Sequence, residues 1–95
     1  MDERQRVGIA PDLVRTEIDE CFLVLNPAND AVISLNETAS DVLFLCDGTL
    51  TAGQVVDAVA IHYGQGRDAV AGPVLVVLDE LIDLGIVTAE PAPGT

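Results

Sequence analysis

Leu35-Asn36-Glu37-Thr38-Ala39, followed by Cys46-Asp47-Gly48, is the point where an extended chain becomes a helical one. Asn36 is placed to cap a helix, because its side-chain oxygen accepts a hydrogen bond from an early backbone N–H that has no partner within the helix. Ala39, Val42, Leu43 and Cys46 recur at spacings of three and four, so they share one apolar helix face. Gly48 takes the left-handed backbone that stops a helix without a steric penalty. The segment predicts a strand end, a capped helix over 37–46 and a glycine stop.

Upstream of this point the period is that of strands. Val14, Thr16 and Ile18 alternate with Leu13, Arg15 and Glu17, the pattern of a half-buried strand. Residues 21–25 are continuously apolar, as in a central strand covered on both faces. Residues 31–35 give a third strand, with Ile33 and Leu35 on one face and Val32 and Ser34 on the other. Asp19-Glu20 and Pro27-Ala28-Asn29-Asp30 have turn composition, and connections this short imply an antiparallel meander. Residues 1–10 are polar, then mixed, and read as a mobile segment ahead of the domain.

Downstream the period is helical. Thr51 and Gln54 have capping-box spacing and open a second helix running to about Tyr63, with Val55, Val59 and His62 or Tyr63 marking its inner face. Gly64-Gln65-Gly66 breaks it, and Asp68 is placed to cap a third helix ending before Gly85. Pro73 lies near the start of that helix, where it removes an early hydrogen bond. On this helix Val74, Leu78 and Leu81 share a line, flanked by Val77 and Leu84 on one side and Leu75 and Ile82 on the other. The apolar arc is wider than the ~100° stripe that packing on a core requires. Either an aliphatic core needs the extra surface, or one flank lines a groove. Residues 86–89 read as an extended tail and 90–95 as loose and proline-rich. The fold class expected is α+β: a three-stranded antiparallel N-terminal sheet followed by a three-helix bundle, winged-helix-like, in one domain over 11–89.

Composition narrows the function. Four basic residues against sixteen acidic ones give a net charge of -12, and the basic residues are all arginine. Such a surface repels nucleic acid and anionic membranes, and suits protein partners. Cys21 and Cys46 do not form a Cys-x-x-Cys pair and sit in apolar runs, as buried free thiols of a cytoplasmic protein would. The first residues carry no apolar stretch of the kind a signal peptide needs, and no run approaches the ~20 apolar residues of a membrane helix. Catalytic signals are poor: His62 is the single histidine, the carboxylates are scattered, and no metal-ligand spacing occurs. No catalytic residue, metal or cofactor is therefore expected. An acyl carrier would need an exposed serine opening a helix, whereas Ser34 lies in a strand and Ser40 within a helix.

Taken together, Leu35-Asn36-Glu37-Thr38-Ala39, then 45–51 (Leu-Cys-Asp-Gly-Thr-Leu-Thr), Tyr63, and Leu78, Leu81, Gly85, Ile86 and Val87 resemble the PqqD-like family. These are small peptide chaperones of pyrroloquinoline quinone biosynthesis and related recognition domains for ribosomally made, modified peptides. The resemblance runs from about Pro11 to Ala89. It implies a non-catalytic module that binds the leader of a precursor peptide as an added strand. It also implies delivery of that precursor to a modifying enzyme, a radical S-adenosylmethionine enzyme in many members. Carried onto this chain, the docking edge is Ala31, Val32, Ile33, Ser34 and Leu35, and the groove wall is Leu75, Asp79 and Ile82. The chain departs from the family pattern at Pro73, where an acidic residue is common, and at Leu84, where a polar one is usual. Leu84 could instead belong to a surface for a partner enzyme or a second copy. An exposed edge with surplus apolar surface also allows a homodimer. The second reading is a winged-helix regulator or protein-interaction module. Direct DNA contact would need a basic recognition helix, and the third helix carries Asp79, Glu80 and Asp83.

Overall fold

A computed structural model describes residues 3–19, 21–27 and 30–90. Their order is β1 (Arg6–Ile9), β2 (Val14–Ile18), β3 (Cys21–Asn26), β4 (Ala31–Ser34), α1 (Glu37–Leu45), β5 (Asp47–Thr51), α2 (Ala52–Tyr63), α3 (Arg67–Asp83) and β6 (Val87–Ala89). The expected turn residues Glu20, Ala28 and Asn29, the tail over 91–95, and residues 1–2 lie outside the described set.

The expected meander is present. β2, β3 and β4 form an antiparallel sheet in that order, with Val14 opposite Leu25 and Leu25 opposite Val32. Asp12, Asp19 and Asp30 bound its strands and each takes a positive φ, a conformation that aspartate tolerates because its short side chain bonds locally. One face meets the core through Val24, Leu35, Phe22 and Ile33.

A second three-stranded sheet, in the order β5-β1-β6, was not legible in the sequence. Residues 6–9, expected within a mobile segment, form its central strand, and Val7 is fully buried. Residues 47–51, expected as a helix stop and a cap, form a strand on one side; the expected extended tail supplies the other. The reason is close backbone approach. A Cβ on Gly8 would lie 3.2 Å from the Gly48 Cα, and Gly48 has φ 87. Gly48 therefore serves this strand crossing, while Cys46 is the C-cap of α1.

The helices follow the sequence with small shifts. The Ala39 N–H donates to Asn36 Oδ1 at 2.8 Å, and Thr51 with Gln54 forms a complete capping box. Gly64 closes α2 in the left-handed region. The N-cap of α3 is Gly66 rather than Asp68, which lies in the first turn, and Pro73 falls inside the helix rather than at its start. The three helices touch one another, α2 against α3 most extensively. Leu43, Leu78, Leu81, Ile86, Val55 and Val74 form the centre of the core. Cys46 is buried there, its thiol donates to the Val42 carbonyl at 3.2 Å, and burial, then Asp47, pushes its pKa up to about 12.

Candidate functional site

The meander leaves β4 as an outer strand. The Leu35 N–H donates to the Phe22 carbonyl at 2.9 Å, which fixes the phase of the ladder. In an antiparallel pair the bonding direction alternates, so the backbone groups of residues 31, 33 and 35 point to β3 and those of Val32 and Ser34 point away. Among the described residues no strand pairs with that outer side. Two residues thus offer an N–H and a C=O each to an incoming chain, at the ~6.6 Å repeat of alternate strand residues.

Side chains alternate in the same way. Leu35 is buried and Ile33 half-buried against the core, as expected from the sequence, while Val32 and Ser34 are exposed. Ser40 holds this end of the ladder. Its Oγ accepts the Phe22 N–H at 2.8 Å, and its hydroxyl donates to the Leu35 carbonyl at 3.5 Å. At 2% exposure it is the sole buried polar side chain among the described residues. This relay leaves no signal in the sequence, because a serine inside a helix is ordinarily solvent-facing.

The second half of the candidate site lies on α3. Leu75, Asp79 and Ile82 occupy one flank at spacings of four and three. Leu75 and Ile82 are half-buried against the core and Asp79 is exposed. α3 also touches α1, which in turn rests on β3. The structure therefore brings the five β4-edge positions onto one edge and the three α3 positions onto one flank.

Two hollows lie elsewhere. One, of about 460 Å³, sits between the two sheets beside Arg6, Arg15, Phe44 and Gly48. The other, of about 420 Å³, separates α1 from α2 beside Asp41, Phe44 and His62. Neither includes β4, as an edge recognised through its backbone needs no cavity. Tyr63 donates its hydroxyl proton to Asp41, which raises the tyrosine pKa, and its ring meets His62 edge-on at 5.0 Å. Arg67 pairs with Glu3 and, at 2.6 Å, with Asp57, so this cation is already engaged. Among the described residues no three His, Cys, Asp or Glu groups converge as a metal site, and no helix is long and apolar enough to cross a membrane.

β3 departs from the expectation in one respect. Its apolar run suggested cover on both faces, but only Val24 is buried; Cys21, Leu23 and Leu25 are half-buried on the face turned from the core. The signal was the run itself, which carries more apolar surface than one layer of helices covers.

Comparison with known proteins follows the same lines. The profile of the family described as coenzyme PQQ synthesis protein D (PqqD) matches residues 21–87. A Bradyrhizobium diazoefficiens protein named PqqA binding protein is 35% identical over 72 residues, covering 76% of this chain and 68% of its own. Among solved structures, TbiB1 in complex with the TbiA(beta) leader peptide has a TM-score of 0.75 at 20% identity, covering 84% of this chain and 93% of its own. Lasso peptide synthetase B1, complexed with its leader peptide, has a TM-score of 0.74 at 14% identity, covering 87% and 98%. Those two likenesses concern the fold.

Proposed function

The chain belongs to the PqqD family, and from that premise we propose that it binds the leader of a ribosomally made precursor peptide as an added strand and presents it to a modifying enzyme. The observation that carries this reading is the outer edge of β4, where Val32 and Ser34 direct their backbone groups away from the sheet. A strand laid there completes the ladder, and main-chain bonds supply affinity with little sequence demand. The name of the Bradyrhizobium relative and the leader peptides bound to the two structural neighbours support the same class of ligand.

Specificity then comes from side chains. The leader residues on the inner side of the added strand run beside Ile33 and Leu35, and Leu75, Asp79 and Ile82 form the opposing wall. Burying two aliphatic leader side chains contributes roughly 3–6 kcal/mol. Ordering the leader offsets about 2–5 kcal/mol of the gross interaction energy. The main-chain bonds and the remaining contacts make up the difference needed for nanomolar to micromolar binding.

The module itself carries no chemistry in this reading. The buried Cys46 thiol, with its pKa near 12, has almost no thiolate to offer at neutral pH. The reacting groups belong to the partner, for which a radical S-adenosylmethionine enzyme is the natural class, working in the cytoplasm. In this reading the meander and the helices behind it form a winged-helix-like unit. A DNA-binding role finds no support in an α3 that exposes Asp79, Glu80 and Asp83.

Titration calorimetry with synthetic PqqA and with the short precursor encoded nearest the gene tests the reading. Saturable one-to-one binding is the expected result. No heat from either peptide, with the protein folded, would overturn it.

A further inference from the structure

The outer face of the β2-β3-β4 sheet has a composition unlike that of a solvated surface. Reading across the register, Val14, Leu25 and Val32 form one row, Thr16, Leu23 and Ser34 the next, and Ile18 with Cys21 the last. Not one of these positions is charged, in a chain of net charge -12. Val14, Ile18 and Val32 are 51%, 52% and 58% exposed, although an antiparallel sheet with one face in water ordinarily alternates apolar inside with polar outside. A shallow depression of about 140 Å³ lies on this face beside Ile18, Cys21, Leu23 and Ser34.

The rim differs. Asp12 and Asp30 stand at the end of the sheet where β2 and β4 begin, and Asp19 at the other, all exposed. A second copy of this chain would bring carboxylates against carboxylates around an apolar centre, which costs affinity. A partner with an apolar patch rimmed by Lys and Arg meets both features. The face also includes Val32 and Ser34, the residues whose backbone would hold the leader, so a leader strand added at β4 extends this same surface.

We propose that the outer face of the meander is the docking surface for the modifying enzyme, which presents an apolar patch with a basic rim and so contacts the leader's outward side chains as it binds. The inference rests on the leader-binding reading. The leader occupies the edge of the sheet and the enzyme its open face, so both bind together.

The test uses the full chain, the radical S-adenosylmethionine enzyme encoded nearest the gene, and the precursor peptide as separate probes. Ile18→Arg is expected to weaken enzyme binding by roughly tenfold or more, as forcing a charge into an apolar contact does. Leader affinity stays within about twofold, because Ile18 lies on β2, two strands away from the main-chain groups of the β4 edge. Replacing Asp12, Asp19 and Asp30 together by Asn keeps the turns, since Asn also tolerates positive φ. It should weaken enzyme binding several-fold and flatten its salt dependence. Circular dichroism and thermal melts confirm that each variant is folded. Unchanged enzyme affinity in folded Ile18→Arg overturns the proposal. So does a dimer of the unaltered protein, seen by sedimentation, that Ile18→Arg dissociates. Enzyme binding without leader binding would instead refute the function proposed above.

Discussion

Val32→Pro separates the leader edge from the fold. The Val32 N–H points away from β3, so proline at this position removes an outward donor and leaves the β3–β4 ladder intact. Ile33→Pro, by contrast, would remove an inward donor facing Val24 and damage the sheet itself. In the complex, Val32→Pro loses one main-chain bond, about 0.5–1.5 kcal/mol, and leaves a leader carbonyl without a donor, about 1–3 kcal/mol if it is buried. The combined loss is about 1–3 kcal/mol, since a carbonyl partly open to water recovers some of it. That is roughly a 5- to 150-fold rise in Kd. Stability by urea denaturation should move by less than about 1 kcal/mol, as for other exposed edge positions. Glu17→Pro is the matched control, because the same phase rule makes Glu17 an outward residue of the other edge strand, β2. Calorimetry with the leader peptide should separate the two variants. Leader affinities for Val32→Pro and Glu17→Pro that agree within about twofold, far inside the expected loss, would refute the assignment of the edge.

Other predictions follow from the core and the caps. Ser40→Ala leaves the Phe22 N–H facing a methyl group, and should lower the unfolding free energy by about 1–3 kcal/mol in urea melts. Gly48→Ala places a Cβ on a residue with φ 87 and should cost about 1–3 kcal/mol, read as a lower melting temperature. Cys46 should resist alkylation in the folded protein at pH 8 and react on unfolding, whereas half-buried Cys21 reacts first; mass mapping of the labelled thiols checks this. The Cys46 thiol has a folded pKa of about 12 against an ordinary 9.0, so the unfolded state loses its proton first. Its stabilising contribution is complete below pH 9.0 and is lost as pH rises from there toward about 12, which denaturation across that window should detect in the difference between wild type and Cys46→Ala.

The meander and the helices were legible because each leaves a period in the sequence. Ile33 and Leu35 alternate with Val32 and Ser34, and the structure turns the first pair inward and the second outward. Asn36 and Thr51 cap where their side chains predict. The second sheet left no such trace. β1 has four residues and includes Gly8, and β5 is Asp-Gly-Thr-Leu-Thr, too polar and too short to alternate. Its strands pair across long stretches of chain, and nothing local encodes that pairing. The proposed docking edge was legible as a strand, but its outward groups required the ladder's phase, which depends on the bond from Leu35 to Phe22. The apolar run in β3 suggests full cover, yet among the described residues Val24 alone of that strand is buried.

The placement of β1 also sets an order of events during synthesis. Val7 pairs with Ala89, and Arg6 with Thr51, so β1 leaves the ribosome well before either of its partners is made. The meander, whose strands are near neighbours along the chain, is free to assemble first. A nascent chain halted before Val87 would then carry an assembled meander beside a β1 missing one flank. Limited proteolysis of stalled chains should find the β1 segment cleavable until β6 emerges.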